Sequence, residues 1–366
     1  MMLARHFIKN KLYSKSILYL TIITLVGCSN LGPQAVRKSR TDYNIAIEQT
    51  DNEQLLLNLV RLRYRDTPFF VETASISTSF SFRTGINASA SILPSVADKY
   101  GISSGFDYIE KPTITYTPLQ GEKFIKQVLT PLEPQILLLL YHSGWSIDRL
   151  MRITVQNFNG ILNAPTASGP TPSTAPEYER FNEVSALIRR LQQSHSIILA
   201  ASDKPGELVL KITPESHHSH DVQAFLQILE LDKETLQFPV RFGIGKGKKQ
   251  IFMVMRSLMA SLFYLSQAVA VSQHDRDAGK VTITEYESGE VFDWFKMTHN
   301  LFQIHTSSSY PNTPYVAVNY RGAWFYIKDN DLTSKSTFSL LKQLLALQSG
   351  IMVRTNVPVL TLPLIQ

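Results

Sequence analysis

The sequence predicts an α+β fold: mixed sheets with packed helices, closed by a C-terminal β-hairpin–helix–strand unit. Three observations carry this. Leu55, Leu56, Leu59, Val60 and Leu62 recur at helical spacing. Ile76, Thr78, Phe80 and Phe82 alternate with Ser75, Ser77, Ser79 and Ser81, the period of a half-buried strand. Near the C-terminus, two alternating runs flank Arg321-Gly322 and lead into a long helical stripe.

The elements follow in chain order. Residues 1–15 carry Arg5, Lys9, Lys11 and Lys15 and no acid. Residues 16–26 are an apolar run of 11, the size of a signal-peptide core and short of the roughly 20 residues that span a bilayer. Leu25-Val26-Gly27-Cys28 follows and resembles the bacterial lipobox. That resemblance implies diacylglycerol on the Cys28 sulfur, cleavage after Gly27 and acylation of the new amino terminus. Ser29 stands where an Asp retains Gram-negative lipoproteins at the inner membrane, so the resemblance implies the outer membrane, periplasmic face. Residues 1–27 are thus expected as signal peptide and 28–48 as lipidated cysteine and tether.

A T-x-x-E capping box at Thr50–Glu53 predicts a helix over 51–65, ended by Pro68. Strands are expected over 69–82 and 107–117, with a loop over 83–106 where Gly, Pro and small polar residues gather. Helices are predicted over 119–130 and 133–143, and strand character over 151–158, within an N-terminal α+β region spanning 49–160. Residues 159–176 hold four prolines and two glycines, and 161–176 read as a Pro-rich linker or long loop.

A C-terminal α+β domain is expected over 177–366. It begins with a helix over 177–194, strands near 196–201, 207–213 and 236–243, and a helix over 221–231. The apolar run 251–271 is interrupted by Arg256, Ser257, Ser261, Ser266 and Gln267, which predicts a buried strand and helix instead of a membrane span. Strands at 315–320 and 324–327 form the hairpin. A helix over 332–348 follows, with Asp331 as N-cap and Gly350 as C-cap. The last twelve residues, with Pro358 and Pro363, read as an edge strand.

The 366 residues carry a formal charge of +6, but four positive residues precede Cys28. The remainder has 32 basic and 30 acidic residues, a net of +2 with no concentrated basic face, so no nucleic-acid partner is expected. Cys28 is the single cysteine, so no intrachain disulfide is possible.

The strings DYN at 42–44, NEQLLLN at 52–58 and RLRY at 61–64, with YRGAWFYIKDNDL at 320–332, SK at 334–335, TF at 337–338 and LQSG at 347–350, resemble a group of uncharacterised proteobacterial lipoproteins. The resemblance implies a location and no established activity.

Five motifs touch on chemistry. Gly101–Gly105 matches G-x-S-x-G but lacks the strand-then-helix setting of a nucleophile elbow. Ser339–Lys342 matches S-x-x-K inside a helix whose stripe is Phe338, Leu341, Leu344 and Leu345. His217, His218 and His220 are the metal-like cluster; imidazoles bind zinc only where the backbone lets them converge, and an extended segment points neighbours apart. Gly243–Lys249 has Lys249 where a phosphate loop needs Ser or Thr, so a basic turn able to meet lipid head groups is expected. Trp324, Phe325 and Tyr326 with Tyr320 form either a ligand platform or, by the commoner rule, cross-strand packing.

The expectation is a non-enzymatic, membrane-anchored lipoprotein with a structural or accessory binding role in the cell envelope, and no cofactor. Its partners are the lipid bilayer, through Cys28, and other envelope proteins. A periplasmic hydrolase with dispersed residues and a small-ligand carrier are the alternatives.

Overall fold

The computed structural model describes residues 31–91, 99–204 and 206–350. Gly27, Cys28 and the expected C-terminal edge strand with Pro358 and Pro363 lie outside the described residues. The architecture is α+β: helices accompany a two-stranded, a three-stranded and a six-stranded sheet.

Helix α1 (Leu31–Arg63) is longer than the capping box suggests. The Thr50 hydroxyl donates back to the Ile47 carbonyl at 2.9 Å, and Glu53 accepts from the Gln49 side chain at 3.0 Å, so neither caps an N-terminus. Ala35, Ala46, Glu48 and Gln49 are helix formers that carry the helix through the expected tether. From Gln54 onward the chain is one compact unit. Within it the apolar stripe of α1, from Leu55 to Leu62, is buried.

Strands β1 (Phe70–Ser91) and β2 (Lys99–Leu119) pair antiparallel along their length, from Phe70↔Leu119 to Ser91↔Lys99. The loop expected over 83–106 is therefore corrected: 83–91 and 99–106 are strand. The ladder between the two segments overrides the low strand propensity of Gly, Ser and Asn, a non-local effect that local composition does not report.

Helices α2 (Glu122–Leu129), α3 (Pro134–His142) and α4 (Ile147–Thr154) follow. The expected strand over 151–158 is helix up to Thr154 and strand only in β3 (Val155–Phe158). Next come β4 (Ile161–Leu162) and a 3₁₀ turn, Pro165–Ser168. Then follow α5 (Glu179–Gln193), β5 (Ile197–Ala201), β6 (Leu208–Ile212), α6 (His220–Ile228), β7 (Gln237–Phe242) and β8 (Ile251–Met255). The six-stranded sheet has the order β4-β3-β8-β7-β6-β5, with only β7 and β8 parallel.

This sheet takes strands from both sides of residues 161–176, and Asn163, Ala164 and Ala167 are fully buried. The linker is corrected accordingly: the stretch is irregular but built into the body. The division expected between 49–160 and 177–366 falls away with it, since both contribute to one sheet.

Helices α7 (Leu258–Ser266), α8 (Gln273–Asp277) and α9 (Trp294–Thr298) lead to β9 (His305–Ser307), β10 (Pro314–Tyr320), β11 (Ala323–Lys328) and α10 (Leu332–Gly350). The C-terminal sheet is antiparallel in the order β10-β11-β9. Arg321 and Gly322 have φ of 51° and 81°, the two positive values a tight hairpin turn requires. Asp331 caps α10, accepting from the Ser334 amide at 2.9 Å and its hydroxyl at 2.6 Å. Phe338, Leu341 and Leu344 are fully buried, as the stripe predicts. Among the described residues no helix is long and apolar enough to cross a membrane.

Candidate functional site

The last turn of α1 forms one wall of a cavity of about 300 Å³. Its other walls come from the segment after α7, from α8, and from the segment that includes α9. Val269, Val271, Ile283, Phe292 and Trp294 give it an apolar side. Arg63, Arg276, Gln267 and Asp293 supply polar groups.

Arg63 is the unusual one. Its position continues the apolar stripe, three and four residues beyond Val60 and Leu59. The side chain is therefore buried with that stripe. Nη1 donates to Gln267 Oε1 at 3.2 Å and to the Thr282 carbonyl at 3.4 Å, while Nε has no partner. Burial pushes its pKa down to about 10, and the positive charge of Arg276 adds to the effect, so the group stays charged at neutral pH. Among the described residues no carboxylate lies within ion-pair distance of Arg63 or Arg276. A buried cation without a counter-ion is costly, and an anion in the cavity relieves the cost.

The neighbouring carboxylates are committed elsewhere. Asp275 accepts from Lys280 Nζ at 2.6 Å and Tyr64 Oη at 2.7 Å, and these donors hold its carboxyl below the ordinary range despite burial. Asp293 lines the cavity but caps α9, accepting from the Phe295 amide at 3.0 Å. Trp294 Nε1 donates to Thr284 Oγ1 at 3.0 Å, and that hydroxyl donates to the Pro172 carbonyl. The cavity lining thus holds no serine–histidine pair and no pair of carboxylates. Its groups can recognise an anion with an apolar body; they present no nucleophile with an adjacent base.

Tyr64, next to Arg63, faces the C-terminal hairpin. Its ring meets Tyr320 and Phe325 edge-on at 6.0 and 6.1 Å, and the Arg321 guanidinium lies 5.1 Å from its centroid. Asp66 accepts from Tyr320 Oη at 2.6 Å and Arg321 Nη2 at 2.9 Å.

The motifs find other uses. Gly101–Gly105 lies within β2, so there is no turn to expose a serine. Ser339 is exposed on α10. His217 Nε2 bonds to the Lys233 carbonyl at 2.7 Å, His218 lies ring-to-ring with it, and His220 opens α6 beside Asp221. No group of three ligands able to hold a metal occurs among the described residues. Ser219 caps α6, leaving Asp221 free to pair with Arg190 at 3.1 Å. Phe325 is in the core, Trp324 packs on Tyr310 and Tyr326 on His305, so the aromatic hairpin is packing and not a platform.

Gly243–Lys249 is the connection between the parallel strands β7 and β8, which ordinarily takes a dozen residues or more. A Cβ at Gly245 would lie 2.6 Å from the Phe252 ring, and one at Gly247 2.6 Å from the Gln250 carbonyl. The glycines allow the tight return. Asn159 accepts from the Gly247 amide at 2.9 Å, and Lys246 pairs with Glu230 at 2.7 Å.

Arg256, which interrupts the apolar run, is fully buried and organises the irregular stretch. Its guanidinium donates to the carbonyls of Arg152, Ile153, Val155, Asn163 and Ala164 and to Ser168 Oγ. The Tyr264 ring covers it at 4.1 Å. Burial pushes its pKa down to about 10. Arg63 and Arg256 share one signal in the sequence: an arginine placed where the surrounding apolar pattern calls for a buried residue.

Comparison with protein-family models, with curated proteins and with solved structures finds no match to this chain.

Proposed function

We propose that this chain is a lipid-anchored, periplasm-facing protein of the outer membrane with a non-enzymatic binding role, and that its body binds a small amphipathic anion. The observation that carries the binding role is Arg63: a buried cation without a carboxylate partner among the described residues, in the wall of a cavity of about 300 Å³ that is also lined by apolar side chains. A carboxylate or phosphate end would meet Arg63 and Arg276, and an alkyl or aromatic body would cover Val269, Val271 and Phe292. The anchor rests on the basic, apolar and lipobox order of residues 1–28. Support for binding over hydrolysis comes from a lining that offers Thr, Gln, Arg and a single acid engaged in capping.

The test is calorimetry on the full-length protein in lipid nanodiscs with medium-chain carboxylates, phosphates and the matching neutral alcohols. The anions should bind and the alcohols should not. Arg63→Gln should weaken binding by one to two orders of magnitude, since a charge-assisted hydrogen bond contributes about 1.5–3 kcal/mol. Equal affinity for anion and alcohol, or an Arg63→Gln variant that binds normally, overturns the reading.

A further inference from the structure

The β1–β2 hairpin has a pattern the body does not need. Outside its root it pairs with nothing but itself, and each strand has one open edge among the described residues. An isolated two-stranded ribbon is marginal in water, so one of this length calls for a partner. The ribbon leaves the body early: Ile114 and Tyr116 are 38% and 56% exposed, and Lys111, Thr113 and Thr115 are exposed as well.

The register sorts the residues into two faces. On the face that continues from Ile114, the pairs are Phe82↔Tyr108, Thr84↔Phe106, Ile86↔Ser104, Ala88↔Ile102 and Ala90↔Tyr100. No charge occurs in this band, and a tyrosine marks each end. On the other face, the pairs include Arg83↔Asp107, Gly85↔Gly105, Asn87↔Ser103, Ser89↔Gly101 and Ser91↔Lys99, with Ile109 opposite Ser81 as the single large apolar residue. The uncharged band runs from residue 82 to residue 90, nine positions, within the roughly 9–11 residues by which a tilted strand spans a bilayer. Alternation of apolar and small polar positions, with aromatics at both ends, is the pattern of a strand with lipid on one side and water on the other. Backbone groups at open edges are not tolerated in hydrocarbon, so such a ribbon enters a membrane only as part of a closed barrel.

We propose that β1–β2 is one stave of a transmembrane β-barrel formed by several copies of this chain. The 82–90 and 100–108 face meets lipid, the Arg83–Ser89 face meets water, and the edges pair with neighbouring copies. The two described strands of this ribbon cannot close a barrel, so the proposed assembly is oligomeric. This inference is independent of the cavity and of its ligand.

The test uses the full-length, lipidated protein in its membrane. Single cysteines are introduced from Thr84→Cys to Ser89→Cys; Cys28 carries the lipid, so each new thiol is free. Labelling with a hydrophilic maleimide should alternate, with positions 84, 86 and 88 at least about tenfold slower than 85, 87 and 89. Chemical cross-linking should give a ladder of this chain beyond the dimer. Ile86→Arg should abolish the ladder and Asn87→Arg should keep it. Uniform labelling at both parities overturns the proposal, as does alternating protection in a protein that cross-links only to a different partner. A ladder that survives Ile86→Arg also overturns it.

Discussion

Arg256 offers the sharpest test of how the irregular stretch is held. In Arg256→Met the guanidinium is lost and its volume largely kept. Four of its five carbonyl acceptors retain another donor: those of Arg152 and Val155 keep Asn163 Nδ2, that of Ile153 keeps Ser261 Oγ, and that of Ala164 keeps the Ala167 amide. The Asn163 carbonyl loses its guanidinium donor and is buried. An orphaned buried acceptor costs about 1–3 kcal/mol, and the lost charge-assisted bonds add to it, while removal of a buried charge offsets part of the sum. The expected net loss is about 3 kcal/mol. An unfolding entropy of about 2.1 cal/mol/K per residue over roughly 300 residues gives about 0.6 kcal/mol/K, so the melting temperature should fall by about 5 °C. Calorimetry measures the midpoint. Limited proteolysis then asks where the chain opens: residues 163–172 should resist cleavage in the parent protein and become the first cleavage site in the variant. A midpoint within about 1 °C of the parent, with the stretch still protected, would refute the argument that Arg256 holds it.

Three further predictions follow from other parts of the chain. Cys28→Ala should abolish incorporation of an acyl analogue and free the chain from its lipid anchor; equal label on the variant excludes the lipobox reading. Leu341→Ala, at a fully buried position of α10, should cost about 2–5 kcal/mol, and an unchanged melting midpoint would mean that the stripe faces no core. Lys280 first, then Tyr64, holds Asp275 below its ordinary range, so its contribution to stability is complete above about pH 4 and is lost as pH falls through the folded-state value. The stability difference between the parent and Asp275→Asn should therefore shrink on acidification from about pH 5 to about pH 2, and a constant difference would rule that contribution out.

The elements legible in the sequence are those whose cause is local. The hairpin turn at Arg321-Gly322, the Asp331 cap and the α10 stripe are each set by neighbours a few residues apart, and the structure reproduces them. Residues 83–106 look like loop because Gly85, Asn87, Ser89, Gly101 and Gly105 are poor strand formers singly; their partners are each other, up to 20 positions away, and a composition window cannot see that. Residues 161–176 look like a linker for the same reason. Their prolines and glycines forbid regular structure, but the groups that hold them, Arg256 and Thr284, lie about a hundred residues downstream. The cavity is hidden for a different reason. An arginine in an apolar stripe reads as an interruption, and only the fold shows that Arg63 meets Gln267 and the Thr282 carbonyl instead of solvent.

Roughly the last three turns of α1 and the residues just after it explain why the sequence here mixes amides and arginines into an apolar stretch. Gln54 bonds both backbone groups of Val71, and Asn58 does the same for Phe69, donating at 2.8 Å and accepting at 2.9 Å. These two amides fix the root of the β1–β2 ribbon as a surrogate strand would. Arg63 enters the cavity wall, and Tyr64 and Asp66 clasp Tyr320 and Arg321 of the C-terminal hairpin. The strings NEQLLLN and RLRY are thus a row of attachment points for three parts of the body, and YRGAWFYI supplies the opposite half of one of them. Their polar residues are structural in a definite sense: Gln54 and Asn58 satisfy backbone of Val71 and Phe69, while Tyr64 and Asp66 bond the side chains of Asp275, Tyr320 and Arg321. Arg63 departs from that rule, because its Nε stays without a partner where every neighbouring polar group in the row has found one. A helix that satisfies Gln54, Asn58 and Tyr64 so fully still leaves the Arg63 Nε buried and unpaired, and this contrast supports the proposal that Arg63 meets a ligand.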